Sequence, residues 1–256
     1  MGGWASNSKW SLLGGMRSAA QVISYELPAS LAVLTVVIMA GSLSTQDLIL
    51  HQGNAPWNWH AFDNPLAFAC LVIFFVSALA EGNRTPFDLP EAESELVAGY
   101  NTEYSGFRFS IYFLAEWVNL LVIGAVVTTI FLGGWRLPFV TPQAILASGW
   151  LQALASMMFA AKTGFFIFVI IWVRWTLPRF RVDQMMNLCW KYFLPITLVS
   201  VVAVAAWTWV APELTPLRMY VRYGTFGIFG VGLFLYFVSR VWYVRKTTRV
   251  LDLRGM

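Results

Sequence analysis

Glu81, Asp88, Glu91, Glu93, Glu95 and Glu103 all fall in the stretch from Glu81 to Phe109. They share it with only two cations, Arg84 and Arg108, in a 256-residue chain whose charged content is 12%. The stretch separates two strongly apolar runs. Carboxylates beside a membrane-spanning run have to be solvated, paired or protonated, so a cluster of this kind suits the handling of protons or of a polar ligand at a membrane edge. Clustered carboxylates also disfavour simultaneous ionisation, and protons are expected to be shared among them. The plainer reading is local. Asp88 can cap a short helix over Leu89–Ala98, with Glu91 three residues on in the capping-box position. Acids favour helix N-termini, which accounts for Glu91 and Glu93. It accounts poorly for Glu95, which stands four residues from Glu91 with a like charge.

Two further ionisable residues lie deep inside apolar runs. Glu116 is seven residues past Phe109, and Lys162 is near the middle of the run Ala144–Trp175. Each costs roughly 2.5–3.5 kcal/mol at a bilayer centre, so both are expected to face a wet interior or a partner. Their similar depth makes them candidates for pairing with each other, either as a structural tie or as part of a proton path. Glu26 and Glu81 fall at the ends of runs and are candidates for the same path.

The elements that must position these residues are helices. The mean hydropathy is +0.64, and 58% of residues are hydrophobic, with thirteen Trp. Six runs approach the ~20 apolar residues a spanning helix needs. They are Leu27–Gln46, Pro65–Ala80, Phe109–Trp135, Ala144–Trp175, Tyr192–Pro212 and Tyr223–Val244. No period-two alternation supports a membrane β-barrel, and backbone in hydrocarbon must satisfy its own hydrogen bonds. The expected fold is an all-α polytopic bundle in one integral membrane domain, with a short helix in the acidic loop. Pro28, tolerated at a helix start, places the beginning of the first span near Glu26. Gly224, Gly227, Gly230 and Gly232 in the sixth run suit close helix packing.

Lys and Arg set the expected orientation. Thirteen of them fall on the side holding the N-terminal segment, the acidic loop, the Leu177–Lys191 loop and the C-terminus, against Arg136, Arg218 and Arg222 on the other. The positive-inside rule places the acidic loop and C-terminus in the cytoplasm, or in the matrix of an organelle. The net charge of +4 then reflects membrane margins and calls for no nucleic-acid partner. Cys70 and Cys189 lack the spacing of a zinc or iron–sulfur site, and His51 and His60 in the outer loop are expected to be solvated. No metal site is expected, and no phosphate-cradling or dinucleotide-binding glycine motif occurs.

Several segments carry a resemblance. GGWASNSK at 2–9, SYE at 24–26, EGNRTPFDLPEAESELVAGYNTEYSG at 81–106, LAEW at 114–117, FLGGW at 131–135, PRFRVDQ at 178–184 and WK at 190–191 resemble the H-subunit family of respiratory NADH:quinone oxidoreductase (complex I). The likeness covers about residues 1–212, leaving 213–256 as an extra helix and basic tail. It implies a membrane subunit that forms part of a quinone cavity and begins an acidic proton pathway, with quinone as substrate and no cofactor bound by this chain alone. NADH, FMN and iron–sulfur clusters are implied in partner subunits of the peripheral arm, with further membrane subunits as neighbours in a bacterial inner membrane. Carried over by motif, Glu26, Glu81 and Glu116 belong to the proton pathway, to which Lys162 is added by its depth in an apolar run. Asp88, Glu91, Glu93, Glu95 and Glu103 belong to the quinone-side coupling loop, with Arg17, Arg84 and Arg108 as its available counter-charges. Family members begin with additional N-terminal helices, so roughly the first third of the family pattern is expected to be missing. Alternatives are the membrane anchor of an energy-converting hydrogenase, a stand-alone proton or cation transporter, or a scaffold whose acids bind partner loops.

Overall fold

A computed structural model of the chain describes residues 1–90, 99–210, 216–232, 235 and 239. The expected helix over Leu89–Ala98, with Glu91, Glu93 and Glu95, falls largely outside the described residues, as do the basic tail and part of the sixth run.

The architecture is all-α and polytopic. The long helices are α1 (Lys9–Ala40), α2 (Pro65–Glu81), α3 (Gly106–Phe131) and α4 (Gly149–Thr176). They are followed by α5 (Val182–Val210) and α6 (Pro216–Thr225), which continues into a π turn at Phe226–Val231. Helices α1, α3, α4 and α5 are long and apolar enough to cross a membrane. At about 1.5 Å per residue, the 17 residues of α2 reach only about 25 Å, short of the ~30 Å hydrocarbon core.

Helix α1 packs on α2 and α5, and α3 packs on α4. The shared core contains Tyr25, Val36, Phe74, Phe131, Phe166 and Ile170. Gly124 allows the second contact, because a Cβ there would stand 3.0 Å from the Thr163 carbonyl oxygen. At the near end of α1, Gly14 does the same for the Gly99–Asn101 turn, whose Tyr100 nitrogen would be 2.9 Å from a Cβ.

The first span starts much earlier than the expected Glu26. Helix α1 runs unbroken from Lys9, with Pro28 buried in its interior. A proline there removes the N–H that would bond the carbonyl four residues back, which is that of Ser24. The Cys189 thiol on α5 donates to that carbonyl at 2.8 Å, Trp190 Nε1 donates to Ser24 Oγ at 3.3 Å, and Tyr25 OH donates to the Met185 carbonyl at 3.0 Å. A π turn over Leu188–Phe193 carries Cys189 within α5. Neighbouring-helix donors thus satisfy the backbone group that the proline frees, as a bilayer requires.

The outer connections also differ from expectation. His60 is buried and stacks on the His51 ring at a centroid distance of 5.3 Å, so the pair is not a solvated loop. Burial, and then the neighbouring His51, push the His60 imidazole down to about 3. Asp63 is buried beside α6 and accepts from Arg218 Nε at 3.0 Å and Nη2 at 2.9 Å, and also from Arg222 Nε. Burial alone would raise the Asp63 carboxyl, but the Arg218 hydrogen bonds and the Arg222 charge hold it below the usual carboxylate range. Among the described residues nothing lies within 4 Å of a Cβ placed on Gly224 or Gly227, so the packing expected of them is not found there. Thr225 and Phe226 make the contacts instead, Thr225 Oγ1 donating to the Phe62 carbonyl and Phe226 meeting Phe62 edge to face.

Candidate functional site

The acidic stretch begins where α2 ends. Ala80 O accepts from Asn83 N at 3.2 Å, and Phe87 N donates to Arg84 O at 2.8 Å. Asn83 takes the left-handed conformation (φ 48°), which Asn tolerates better than most residues. This break turns the chain so that Arg84, only 5% exposed, points toward α3. Its Nη2 lies 3.5 Å from Glu116 Oε2, and its guanidinium lies over the Trp117 ring at 5.3 Å. A gap of 3.5 Å is an ion pair rather than a good hydrogen bond. Arg84 Nε is buried with no hydrogen-bond partner among the described residues. Glu116 also accepts from the Tyr100 hydroxyl at 3.4 Å. The site therefore combines a largely buried carboxylate and a buried, incompletely hydrogen-bonded guanidinium, a costly arrangement in a dry interior.

Two cavities meet at Glu116. One, of about 160 Å³, is lined by Arg84, Asp88, Asn101, Glu116 and Arg174. The other, of about 580 Å³, is lined by Glu81, Tyr100, Tyr112, Glu116 and Asn119. Glu81 and Glu116 thus border one cleft, with Arg84 and Glu116 forming the wall of the next. Asp88 pairs with Arg179 at 3.3 Å, and Phe180 N donates to Pro86 O at 3.1 Å, so the α4–α5 connection straps the break from outside. Such an arrangement can hold a polar or anionic group against a cation, and can pass a proton between carboxylates through a wet cleft.

The other described candidates do not line these two cavities. Glu26 is exposed on α1, Glu103 and Arg108 are exposed near the start of α3, and Arg17 is half-buried on α1. Glu91, Glu93 and Glu95 are outside the described residues. Lys162 does not face Glu116. Its Nζ donates to the carbonyls of Leu132 at 2.8 Å and Gly134 at 3.2 Å, and it lies over the Trp59 ring at 4.2 Å. Leu132 is sixteen residues beyond Glu116, about 24 Å along the helix axis. The ammonium is solvated by the carbonyls that the end of α3 leaves free, so similar depth in two apolar runs did not mean proximity.

Sequence reasoning missed Gln21, which is fully buried on α1 and donates into the break, and Tyr100, the hydroxyl partner of Glu116. Gln21 left a usable signal, since a long amide inside an apolar helix must find partners in lipid. Among the described residues no group of three or more His, Cys, Asp or Glu is placed to hold a metal ion.

A family model described as NADH dehydrogenase matches residues 1–205. Among curated relatives, the NADH-quinone oxidoreductase H subunit of Anaeromyxobacter dehalogenans is 58% identical over 216 residues, covering 80% of this chain and 52% of the relative. That of Chlorobaculum tepidum is 49% identical over 211 residues, covering 80% of this chain and 58% of the relative. The H subunit numbered 1 in Geobacter sulfurreducens is 50% identical over 202 residues, covering 79% of this chain and 53% of the relative. The chain spans about half the length of the curated relatives it matches.

Proposed function

The chain belongs to the NADH dehydrogenase family, and from that premise we propose that it serves as the H subunit, a membrane component, of a proton-translocating NADH:quinone oxidoreductase. In this reading it forms the membrane side of a quinone cavity and the first part of an acidic proton path. Peripheral-arm subunits carry NADH, FMN and the iron–sulfur clusters and deliver the electrons, and further membrane subunits flank the chain. Quinone reduction takes up two electrons and two protons, and negative charge develops on the quinone oxygens before the protons arrive.

The observation that carries the reading is the Arg84–Glu116 pair at the junction of the two cavities. A buried guanidinium with an unfilled Nε is poised to respond to new negative charge nearby. Moving or weakening its hold on Glu116 changes the cost of ionising that carboxylate, and Glu81 borders the same cleft as the next acceptor. Coupling then amounts to competition between reduced quinone and Glu116 for one cation. Glu26, Glu81, Glu116 and Lys162 are assigned to the proton path, with Lys162 at its far end beside the close of α3. Arg17, Arg84, Asp88, Glu91, Glu93, Glu95, Glu103 and Arg108 are assigned to the quinone-side loop.

The test is Glu81→Gln and Glu116→Gln in the full-length protein within the assembled complex. Each is expected to lower proton pumping at least tenfold while assembly stays normal. Normal pumping and quinone reductase rates in both variants would exclude the assignment.

A further inference from the structure

The Gln21 side chain is 0% exposed in the middle of α1. Its Nε2 donates to Ala80 O at 2.5 Å and Phe87 O at 2.9 Å, and lies 3.3 Å from Asn83 Oδ1. One amide group therefore ties both flanks of the Ala80–Phe87 break and its middle to a helix about sixty residues away in sequence. The group's orientation is dictated, because turning it over would set Oε1 against three acceptors. As placed, Oε1 has no hydrogen-bond partner among the described residues, so the residue acts as a donor only.

Between the two tied carbonyls lie Glu81 and Arg84. The break is short and carries its own turn hydrogen bonds, so fixing Ala80 and Phe87 fixes where the Arg84 guanidinium enters the site. A separation of 3.5 Å between Arg84 and Glu116 is sensitive to such placement, since it lies just beyond good hydrogen-bond reach, and a small displacement decides whether the two groups bond directly. We propose that Gln21 is the positioning residue of the Arg84–Glu116 pair, setting the distance between guanidinium and carboxylate by holding both ends of the break against α1. The proposal rests on the function proposed above and adds to it a residue that touches neither substrate nor carboxylate.

The experiment compares Gln21→Met, which keeps the volume and removes the donors, with Gln21→Asn, whose amide sits one methylene short of the break. Asn83→Gly serves as a milder partner, deleting one acceptor at a position whose backbone glycine adopts freely. All are made in the full-length protein within the assembled complex, and each is combined with Arg84→Met. Gln21→Met is expected to raise the quinone KM and lower kcat at least fivefold per assembled complex, with Gln21→Asn and Asn83→Gly intermediate. Adding any of them to Arg84→Met is expected to change nothing further, because they act through the same guanidinium. A general packing defect would instead lower the amount of complex with unchanged kinetics per complex, and would add to Arg84→Met. That result in Gln21→Met overturns the proposal. If Gln21→Met does not assemble, wild-type KM and kcat in both Gln21→Asn and Asn83→Gly overturn it. Failure of the underlying functional reading is distinguishable, since Glu116→Gln itself would then pump normally.

Discussion

Burial has different consequences for two charged groups on the outer connections. Among the described residues His60 has no ion-pair partner, and it is held neutral, its imidazole pushed down to about 3 by burial and by His51. Asp63 is equally dry and stays charged, because Arg218 and Arg222 converge on it. Both effects make acid destabilising. Between about pH 3 and 6.5 the unfolded chain binds a proton at His60 that the folded chain refuses, so stability is complete above 6.5 and falls as pH drops below it. Asp63 acts in the same direction at lower pH, as protonation removes its hold on the two arginines. Thermal unfolding of the full-length protein in lipid nanodiscs should show the midpoint falling between pH 7 and 5, with a slope of at most about 1.4 kcal/mol per pH unit from this residue. His60→Phe, which keeps the ring stack with His51, should flatten that slope. An unchanged pH dependence in His60→Phe would mean that His60 is not held neutral.

The seam between α1 and α5 depends on an exchange of hydrogen bonds that no single helix contains. Pro28 frees the Ser24 carbonyl and Cys189 occupies it. Cys189→Ala leaves that carbonyl orphaned in an apolar seam, at a cost of about 1–3 kcal/mol. Cys189→Ser, which keeps a donor, should cost less. Pro28→Ala restores the missing backbone N–H, so Pro28→Ala with Cys189→Ala should be more stable than Cys189→Ala alone. Denaturation of the four variants in one detergent decides this, and strict additivity would show that proline and thiol are unrelated. The seam also shows why the start of the first span was not legible in the sequence. Proline's preference for a first turn placed the start at Glu26, whereas the thiol that makes an interior proline tolerable bonds across 165 positions of sequence. Hydropathy alone located the long apolar helices, because lipid imposes length and composition on each one separately. Gln21, Tyr100 and Asp63 escaped because their roles are set by contacts between elements, as with Asp63 and Arg218, 155 residues apart.

At the scale of the whole bundle, and apart from contacts along the helices such as Cys189 with Ser24 and Cys70 with Thr35, the described polar contacts between elements gather toward two opposite ends. At one end Gln21 reaches the α2 break, Tyr104 OH donates to Gly2 O, and Arg179 pairs with Asp88. At the other end Gln52 Nε2 donates to Ile130 O, Phe139 N donates to Asn54 O, and Asp63 holds α6. The helices therefore alternate in direction, so the whole acidic break faces one side of the membrane. Thirteen Lys and Arg assigned to that end against three at the other predict that it is cytoplasmic. The native thiols of Cys70 and Cys189 are buried, so a background of Cys70→Ala with Cys189→Ser leaves the helices free of competing label. Leu43→Cys, at a position 83% exposed beyond the end of α1, should react with an impermeant maleimide added to intact cells. Ser105→Cys, exposed at the start of α3, should react only after the membrane is opened. The opposite pattern would invert the bundle and place the Arg84–Glu116 site at the outer face.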